Sequence, residues 1–156
     1  MNHVYREKIY LPLVFLLISL AVIVVLIVAW IQGDFIQDKV FAVISICTMI
    51  AVLFSTLNFG CLEIRATETL LKFRFGLFKK EVFIKNIVEL KVEKFSVARF
   101  GGYGLRIGKG NILGYIAKSS QGIEFKNSNS NKKYFLSTNN ADELFNILVT
   151  YGAKKT

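Results

Sequence analysis

Residues 10–31 of the chain read YLPLVFLLISLAVIVVLIVAWI, residues 40–59 read VFAVISICTMIAVLFSTLNF, and neither run contains a charged side chain. An α-helix rises 1.5 Å per residue, so helices of these lengths would measure about 33 and 30 Å. The hydrocarbon core of a bilayer is about 30 Å thick, which each helix could cross. The two runs therefore predict a hairpin of transmembrane helices.

A cleaved signal peptide is the alternative interpretation of the first run. Such a peptide has an apolar core of about 7–15 residues, followed by small residues at the cleavage site. The first run is longer and ends in Trp30 and Ile31 before Gln32, so we expect it to stay in the protein. Residues 32–39 then join the helices, with Gly33 as a helix stop, and so short a connector requires an antiparallel hairpin.

Basic residues flank the predicted hairpin mainly on one side. Arg6 and Lys8 precede the first run, whereas the connector offers only Lys39. Four more follow the second run within about twenty residues, a range that counts in the positive-inside rule: Arg65, Lys72, Arg74 and Lys79. This rule predicts that the helices cross the cell membrane and that both termini lie on its cytoplasmic side, with residues 1–9 as a cytosolic tail.

Beyond the second run, the apolar pattern changes to a period of two, which is typical of half-buried β-strands. Apolar and polar residues alternate in segments 62–66, 71–75, 88–92, 105–107 and 123–125, and residues 133–137 predict another strand after a polar turn. Turns rich in glycine and asparagine separate the segments. Six or seven short strands predict an antiparallel barrel or sandwich within residues 60–152, followed by a basic tail at 153–156.

The predicted domain ends in an amphipathic helix. Asn140 can cap its first turn, and Glu143, three residues later, would complete a capping box. Gly152 suits the position after the last turn. An apolar stripe at i, i+3, i+4 and i+7 is formed by Leu144, Ile147, Leu148 and Tyr151. The predicted fold class is a membrane α-hairpin plus an α+β or all-β domain, capped by one C-terminal helix.

Residues 100–148 show a family resemblance. It is carried by Gly101-Gly102-Tyr103-Gly104-Leu105-Arg106, by Gly122-Ile123-Glu124-Phe125 and by Asp142-Glu143-Leu144. The chain resembles a family of small bacterial membrane proteins in which two N-terminal transmembrane helices precede a PH-like (pleckstrin-homology-like) domain. That family usually has Trp where Tyr103 stands and Pro where Ala141 stands. It has no assigned biochemical role, so the resemblance implies a fold and a membrane location.

No motif predicts catalysis, a cofactor or a metal ion. The glycine-rich segment 101–114 fits neither the P-loop nor the dinucleotide fingerprint, because required glycines or hydroxyl residues are missing. Turns and a β-bulge explain its glycines. His3, Cys47 and Cys61 have neither metal-ligand spacing nor the pattern of a disulfide framework. We expect a protein that is not an enzyme, with general acid–base catalysis by its exposed Asp and Glu side chains as the remaining alternative.

The positive charge of the chain belongs to the predicted domain. Residues 1–60 carry three basic and three acidic side chains, so the whole net charge of +9 lies beyond them. Each cation beside an anionic leaflet contributes about 1 kcal/mol of attraction. The sequence predicts binding of anionic lipid headgroups or of a protein partner, with these candidates: Lys72, Arg74, Lys79, Lys80, Arg99, Tyr103, Arg106 and Lys109.

Three alternatives accompany this prediction. Lys79 and Lys80 would equally serve as solvated charges that discourage aggregation at a strand edge. The hairpin could instead be the contact of a small accessory subunit in a larger membrane complex, through the polar face of Ser45, Thr48 and Ser55. A charge of +9 would also attract nucleic acid, but no motif that reads RNA or DNA accompanies it.

Overall fold

The computed structural model describes residues 4–31 and 39–156, without the side chains of residues 14–16 and 41. Within them lie two long helices, α1 (Leu13–Ile31) and α2 (Lys39–Phe59), and two further helices, α3 (Val97–Phe100) and α4 (Ala141–Thr150). The nine described strands are β1 (Tyr5–Tyr10), β2 (Cys61–Ala66), β3 (Leu70–Phe75), β4 (Phe78–Phe83), β5 (Ile87–Lys94), β6 (Gly104–Gly108), β7 (Ile112–Ile116), β8 (Gln121–Asn127) and β9 (Lys132–Ser137).

The strands form two sheets. The first has the order β1-β2-β3-β4 and the second the order β5-β8-β9-β7-β6. All neighbouring pairs are antiparallel except β7 and β9, which run parallel. The prediction of six or seven antiparallel strands was therefore wrong in number and in one pairing. Strands β4 and β7 lacked a clear alternation, because β4 is exposed along most of its length and β7 is buried on both faces.

Aromatic rings join the two sheets in the core. Phe73 of β3 lies edge-on to Tyr115 of β7, with ring centroids 4.8 Å apart, and also contacts Phe125 and Tyr134 of the second sheet. These four side chains are buried. Burial also raises the pKa of Tyr115 to about 12, because the phenolate would lose its hydration.

The C-terminal helix α4 covers this core as predicted. Leu144 and Leu148 are fully buried, and the helix packs against β5 and β8. Gly152 follows the helix with a φ of +103°, a conformation that glycine adopts readily. The capping box was wrong, because the Asn140 side chain caps no backbone N–H of the helix. The Asn140 backbone N–H instead donates to Thr138 Oγ1, at 3.2 Å.

Strand β1 precedes the helices in sequence but pairs with β2, which follows them. Its register runs from Tyr5 opposite Ala66 to Tyr10 opposite Cys61, and the Leu11 N–H donates to Gly60 O at 3.0 Å. The two long helices are thus inserted at the turn of a β-hairpin. The expected N-terminal tail is a strand from residue 5 onward.

The four C-terminal residues also belong to the domain. Ala153 is buried, and the Lys154 N–H donates to Ile87 O at 2.9 Å. Lys155 forms a parallel bridge with Leu90 of β5. The expected basic tail therefore lies along an edge strand instead of extending into solvent.

Helices α1 and α2 pack against each other beside the domain. Thr56 Oγ1 donates to Val52 O and lies 3.2 Å from Ser19 Oγ of α1, so one hydroxyl serves both helices. Among the described helices, α2 alone passes the length and hydropathy test for a membrane span, and 17–31 form a shorter apolar helical stretch. The predicted connector, including Gly33, lies mostly outside the described residues.

Large apolar side chains cover the outside of this helix pair. On α1 the exposed ones include Leu17, Leu20, Val25 and Trp30, and on α2 they include Val43, Ile46, Phe54 and Leu57. Such contiguous apolar exposure is rare on water-facing surfaces and marks a membrane or protein contact.

The β1–β2 register predicts that the domain folds without the helices. We expect a variant in which Asn-Gly replaces residues 12–59 to be soluble and to unfold cooperatively, because a two-residue turn suits this hairpin. Circular dichroism, thermal unfolding and size-exclusion chromatography measure the outcome.

The comparison is a fragment of residues 60–156, which lacks β1. It would lose Tyr5 and Ile9 from the core and leave the edge of β2 unpaired. Burial of each such side chain contributes about 1.5–3 kcal/mol, so we expect aggregation or a clearly lower melting temperature. Equal melting temperatures for the two proteins would show that β1 is dispensable.

Candidate functional site

The outer face of the first sheet carries most of its charged side chains. Side chains alternate between the two faces of a strand, and directly paired residues share a face. Leu62, Ile64, Phe73 and Phe75 therefore point into the core, and their neighbours point outward. We call this outer set the basic face: Arg6, Lys8, Glu63, Arg65, Lys72, Arg74, Lys79 and Glu81.

The basic face consists of two rows that cross all four strands. Lys8, Glu63, Arg74 and Lys79 are paired across the sheet in the row nearer the helices. Arg6, Arg65, Lys72 and Glu81 are paired in the next row. Each row holds three cations and one carboxylate, so the face has a net charge of +4.

Glu63 is the buried centre of the basic face. Its side chain is 5% exposed, and both carboxylate oxygens are bound. Oε1 lies 3.2 Å from Arg6 Nη2 and accepts from Arg65 Nε at 2.7 Å. Oε2 accepts from Arg74 Nε and Nη2 at 2.9 and 2.8 Å. Burial by itself would raise the pKa of Glu63, but the hydrogen bonds from Arg65 and Arg74 outweigh it and hold the pKa below its usual range.

The second carboxylate of the face, Glu81, lies in solvent. Lys72 Nζ is 3.3 Å from its Oε1, and Lys79 pairs with the same oxygen. Hydrogen bonds from these two lysines lower the pKa of Glu81. Exposed pairs of this kind contribute little to stability. Within the described residues, Lys8 makes no ion pair.

The tip of the β3–β4 hairpin contacts the end of α2. Gly76 has a φ of +47° and lies so close to Asn58 that a Cβ would approach the Asn58 backbone to 2.7 Å. The Leu77 N–H donates to Asn58 Oδ1 at 3.2 Å, and Phe78 stacks on Phe59 with centroids 5.3 Å apart. The basic face therefore begins where the apolar helices meet the domain.

A polar cleft of about 270 Å³ lies at this junction. We call it the basic cleft, and its lining consists of Lys8, Leu57, Cys61, Glu63, Arg74 and Gly76. Burial raises the pKa of the Cys61 thiol, so this cysteine is less reactive at neutral pH than an ordinary one.

The second predicted group of site residues is divided by the structure. Arg99 Nη2 lies 2.8 Å from Oε2 of the buried Glu124, and its guanidinium lies over the Phe100 ring. Arg99 thus balances a buried charge. Lys109 lies in the turn beyond the far end of β6, about 17 Å along that strand from Gly104.

Tyr103 and Arg106 lie at a second cleft beside α2. This cleft of about 290 Å³ is lined by Leu11, Ser55, Phe59, Tyr103, Gly104, Leu105 and Arg106. Arg106 Nε donates to Tyr103 O at 2.8 Å. Two clefts, each with one or more cations, therefore lie at the junction of helices and domain.

The glycine-rich segment forms turns, as expected, but not the expected bulge. Gly101 and Gly110 have φ values of +77° and +83°, and the β6–β7 pairing is regular. The register shift lies in β5, between Val88 and Lys91. A Cβ at Gly108 would approach the Phe100 ring to 2.6 Å, so this glycine makes room for an aromatic side chain.

The structure therefore brings Lys72, Arg74 and Lys79 together and separates Lys80 from them. Lys80 is paired with Phe73, so it lies on the opposite side of β4 from Lys79. The sequence prediction missed Arg6, Lys8, Glu63 and Arg65 as parts of this face. Tyr5 and Ile9 lie on either side of Arg6 and Lys8, but Glu7 interrupts the apolar alternation, so the sequence offered only a weak signal.

Two other predictions concern the helices and metal ions. The polar face predicted on α2 is divided, because Ser45 is buried whereas Thr48 and Ser55 are exposed. In the described part of the chain, no group of three or more His, Cys, Asp or Glu side chains could hold a metal ion.

Comparison of the chain with models of protein families, with curated proteins and with solved structures finds no match.

The Glu63 cluster predicts a pH-dependent stability. Glu63→Gln leaves three guanidinium groups without their shared anion, and we expect a loss of about 1–3 kcal/mol at neutral pH. Because the folded pKa is lowered, the stabilisation is complete above the unfolded pKa of about 4.3 and is lost as pH falls through the folded value. Denaturant unfolding of the full-length protein in detergent between neutral and acidic pH measures it.

The matched control is Glu81→Gln, which removes an exposed carboxylate from the same face. We expect little change in stability from this variant. If the wild-type protein and Glu63→Gln kept the same stability difference through acidic pH, the ion-pair cluster would not be the cause.

Proposed function

We propose that this protein is an integral membrane protein with two spans that holds a basic, PH-like domain at the cytoplasmic membrane surface, where the domain binds anionic lipid headgroups. The observation that carries the proposal is the position of the basic face. Its first row begins two residues from Tyr10 and Cys61, the residues that lead into α1 and follow α2.

The membrane part of the proposal rests on the helices. Both α1 and α2 expose large apolar side chains, and their domain ends are held together by the β1–β2 pairing. An antiparallel pair whose ends are joined to one sheet has both ends on one side of a bilayer. Six cations of the basic face lie at that side, which under the positive-inside rule favours the cytoplasm.

The PH-like part of the proposal rests on the architecture. Two sheets enclose an aromatic core, and one C-terminal amphipathic helix packs on the second sheet. Two features depart from a simple antiparallel barrel. Strands β7 and β9 run parallel, and β1, which precedes the helices in sequence, completes the first sheet.

The binding part rests on charge and distance. If the chain leaves the bilayer at Tyr10 and Cys61, the row Lys8–Glu63–Arg74–Lys79 lies about 7 Å beyond that point, inside the screening length of about 8 Å at physiological salt. Exposed Leu77 at the adjacent hairpin tip offers an apolar contact. Cations and an apolar tip side by side suit a lipid surface.

The orientation predicts the behaviour of C-terminal fusions in a bacterial host. We expect a fluorescent protein fused after Thr156 to be fluorescent and alkaline phosphatase at the same position to be inactive, because alkaline phosphatase needs an oxidising compartment for its disulfides. The reverse pattern would contradict the cytoplasmic position of the domain.

Lipid selectivity tests the proposed binding. We expect the full-length protein to retain phosphatidylglycerol over phosphatidylcholine in native mass spectrometry. Reversal of two charges of the basic face on the β3–β4 hairpin, Lys72→Glu with Lys79→Glu, should weaken that preference by about thirtyfold, because each lost cation contributes about 1 kcal/mol.

The control reverses two exposed charges at the opposite end of the domain, Lys85→Glu with Lys132→Glu. Lys85 follows the far end of β4, and the hairpin that carries Lys132 contacts the same region through the Ser128 N–H and Asn86 O, at 2.9 Å. An equal loss in both variants would indicate attraction by net charge alone. If the wild-type protein did not prefer phosphatidylglycerol, the alternative function would be favoured, in which the protein is an accessory subunit that a larger membrane complex binds through α1 and α2.

A further inference from the structure

The basic cleft combines three features that a single phospholipid would need. Its cations come from β1 and β3, its apolar wall is Leu57 of α2, and its rim is the backbone of Gly76 at the hairpin tip. Leu57 is 81% exposed and belongs to the apolar helix surface. The cleft is therefore continuous with the surface that we assign to the membrane.

The charges in the cleft are arranged to accept an anion. Glu63 lies in its lining, but both of its oxygens are bound by arginines. Arg74 uses Nε and Nη2 for Glu63 and is half exposed, and a guanidinium has five N–H donors, so donors remain. Lys8 is exposed and makes no ion pair among the described residues.

The spacing of the two cations fits one phosphate. Lys8 and Arg74 are both paired with Glu63, so their backbones are two strand spacings apart, about 10 Å. Side chains of this length can converge on a group between them. A volume of about 270 Å³ is slightly smaller than pockets that enclose drug-sized molecules, roughly 300–1,000 Å³, and suits a headgroup whose acyl chains lie outside.

We propose that the basic cleft holds the phosphate of one anionic glycerophospholipid, with Lys8 and Arg74 as its cationic partners and Leu57 beside its acyl chain. This inference rests on the proposed function and makes it specific, because it replaces a diffuse attraction by one site. Leu57 and the membrane position favour a lipid over a soluble phosphate compound.

Cys61 provides a reporter inside the cleft. We would use the full-length protein with Cys47→Ser, reconstituted in vesicles of phosphatidylcholine with or without phosphatidylglycerol, and measure alkylation of Cys61 by uncharged N-ethylmaleimide. Mildly alkaline pH offsets the raised pKa of this thiol. A lipid in the cleft should slow alkylation several-fold when phosphatidylglycerol is present.

Lys8→Gln tests the site without disturbing the Glu63 cluster. We expect it to weaken lipid binding by about fivefold and to return the alkylation rate towards the rate in phosphatidylcholine. Lys80→Gln removes the same charge on the other side of β4 and should keep the protection. Both variants face the same surface pH, but Lys8 also lowers the pKa of Cys61. The protection of each variant is therefore its alkylation rate with phosphatidylglycerol relative to its own rate in phosphatidylcholine alone.

Two results would overturn the proposal. Equal protection of the wild-type protein and Lys8→Gln would show that Lys8 does not hold a lipid phosphate in the cleft. If the wild-type protein still preferred phosphatidylglycerol in mass spectrometry, the proposed lipid binding would hold, but as a diffuse attraction without a site in the cleft. If it showed no such preference, the proposed function and the cleft site would both be wrong. Equal protection by soluble glycerol phosphate, in vesicles of phosphatidylcholine alone, would identify a soluble ligand instead of a lipid.

Discussion

The antiparallel pairing of β1 with β2 is the constraint on which the rest of the structure depends. It joins residues on either side of the apolar helices, from Tyr5 with Ala66 to Tyr10 with Cys61. Closing so long a loop has an entropic cost, which the antiparallel helix pair reduces because it returns the chain to its starting point. The same pairing aligns Lys8 with Glu63 and so creates the basic face.

Two glutamates hold β1 in place, one on each face. On the outer face, Glu63 binds Arg6. On the core face, Glu7 accepts hydrogen bonds from the Tyr5 hydroxyl at 2.7 Å, from the Thr138 hydroxyl at 2.5 Å and from the Asn139 N–H at 2.9 Å. Thr138 and Asn139 connect β9 with α4, so Glu7 links the first sheet to the second. Strand β1 is therefore a structural part of the domain and also a source of its charge.

The sequence predicted the elements whose pattern is local. The period of α4 follows from its own side chains, so Leu144 and Leu148 were assigned to the core correctly. Strand β1 was missed because Glu7 occupies a core-facing position, and its partners at 138–139 are distant in sequence. A polar residue on the apolar face conceals the period of two until its tertiary partners are known.

The candidate site was predicted in part for the same reason. Lys72, Arg74 and Lys79 belong to one hairpin, and their proximity follows from a single turn. Lys8 joins them only through pairing across the inserted helices. The assignment of Lys80 to the same surface failed because strand alternation places it opposite Phe73, on the other side of β4.

The insertion of the helices into a β-hairpin also has a consequence for biosynthesis. Strand β1 leaves the ribosome first, yet its partner β2 is made only after residues 11–60, which at about 5–20 residues per second takes several seconds. Over that interval β1 has an unsatisfied edge and can pair with other chains. Its charges of alternating sign, Arg6, Glu7 and Lys8, disfavour such pairing. Under the proposed two-span topology, the sheet can be completed only when both helices have inserted and the chain has returned to the side on which β1 waits.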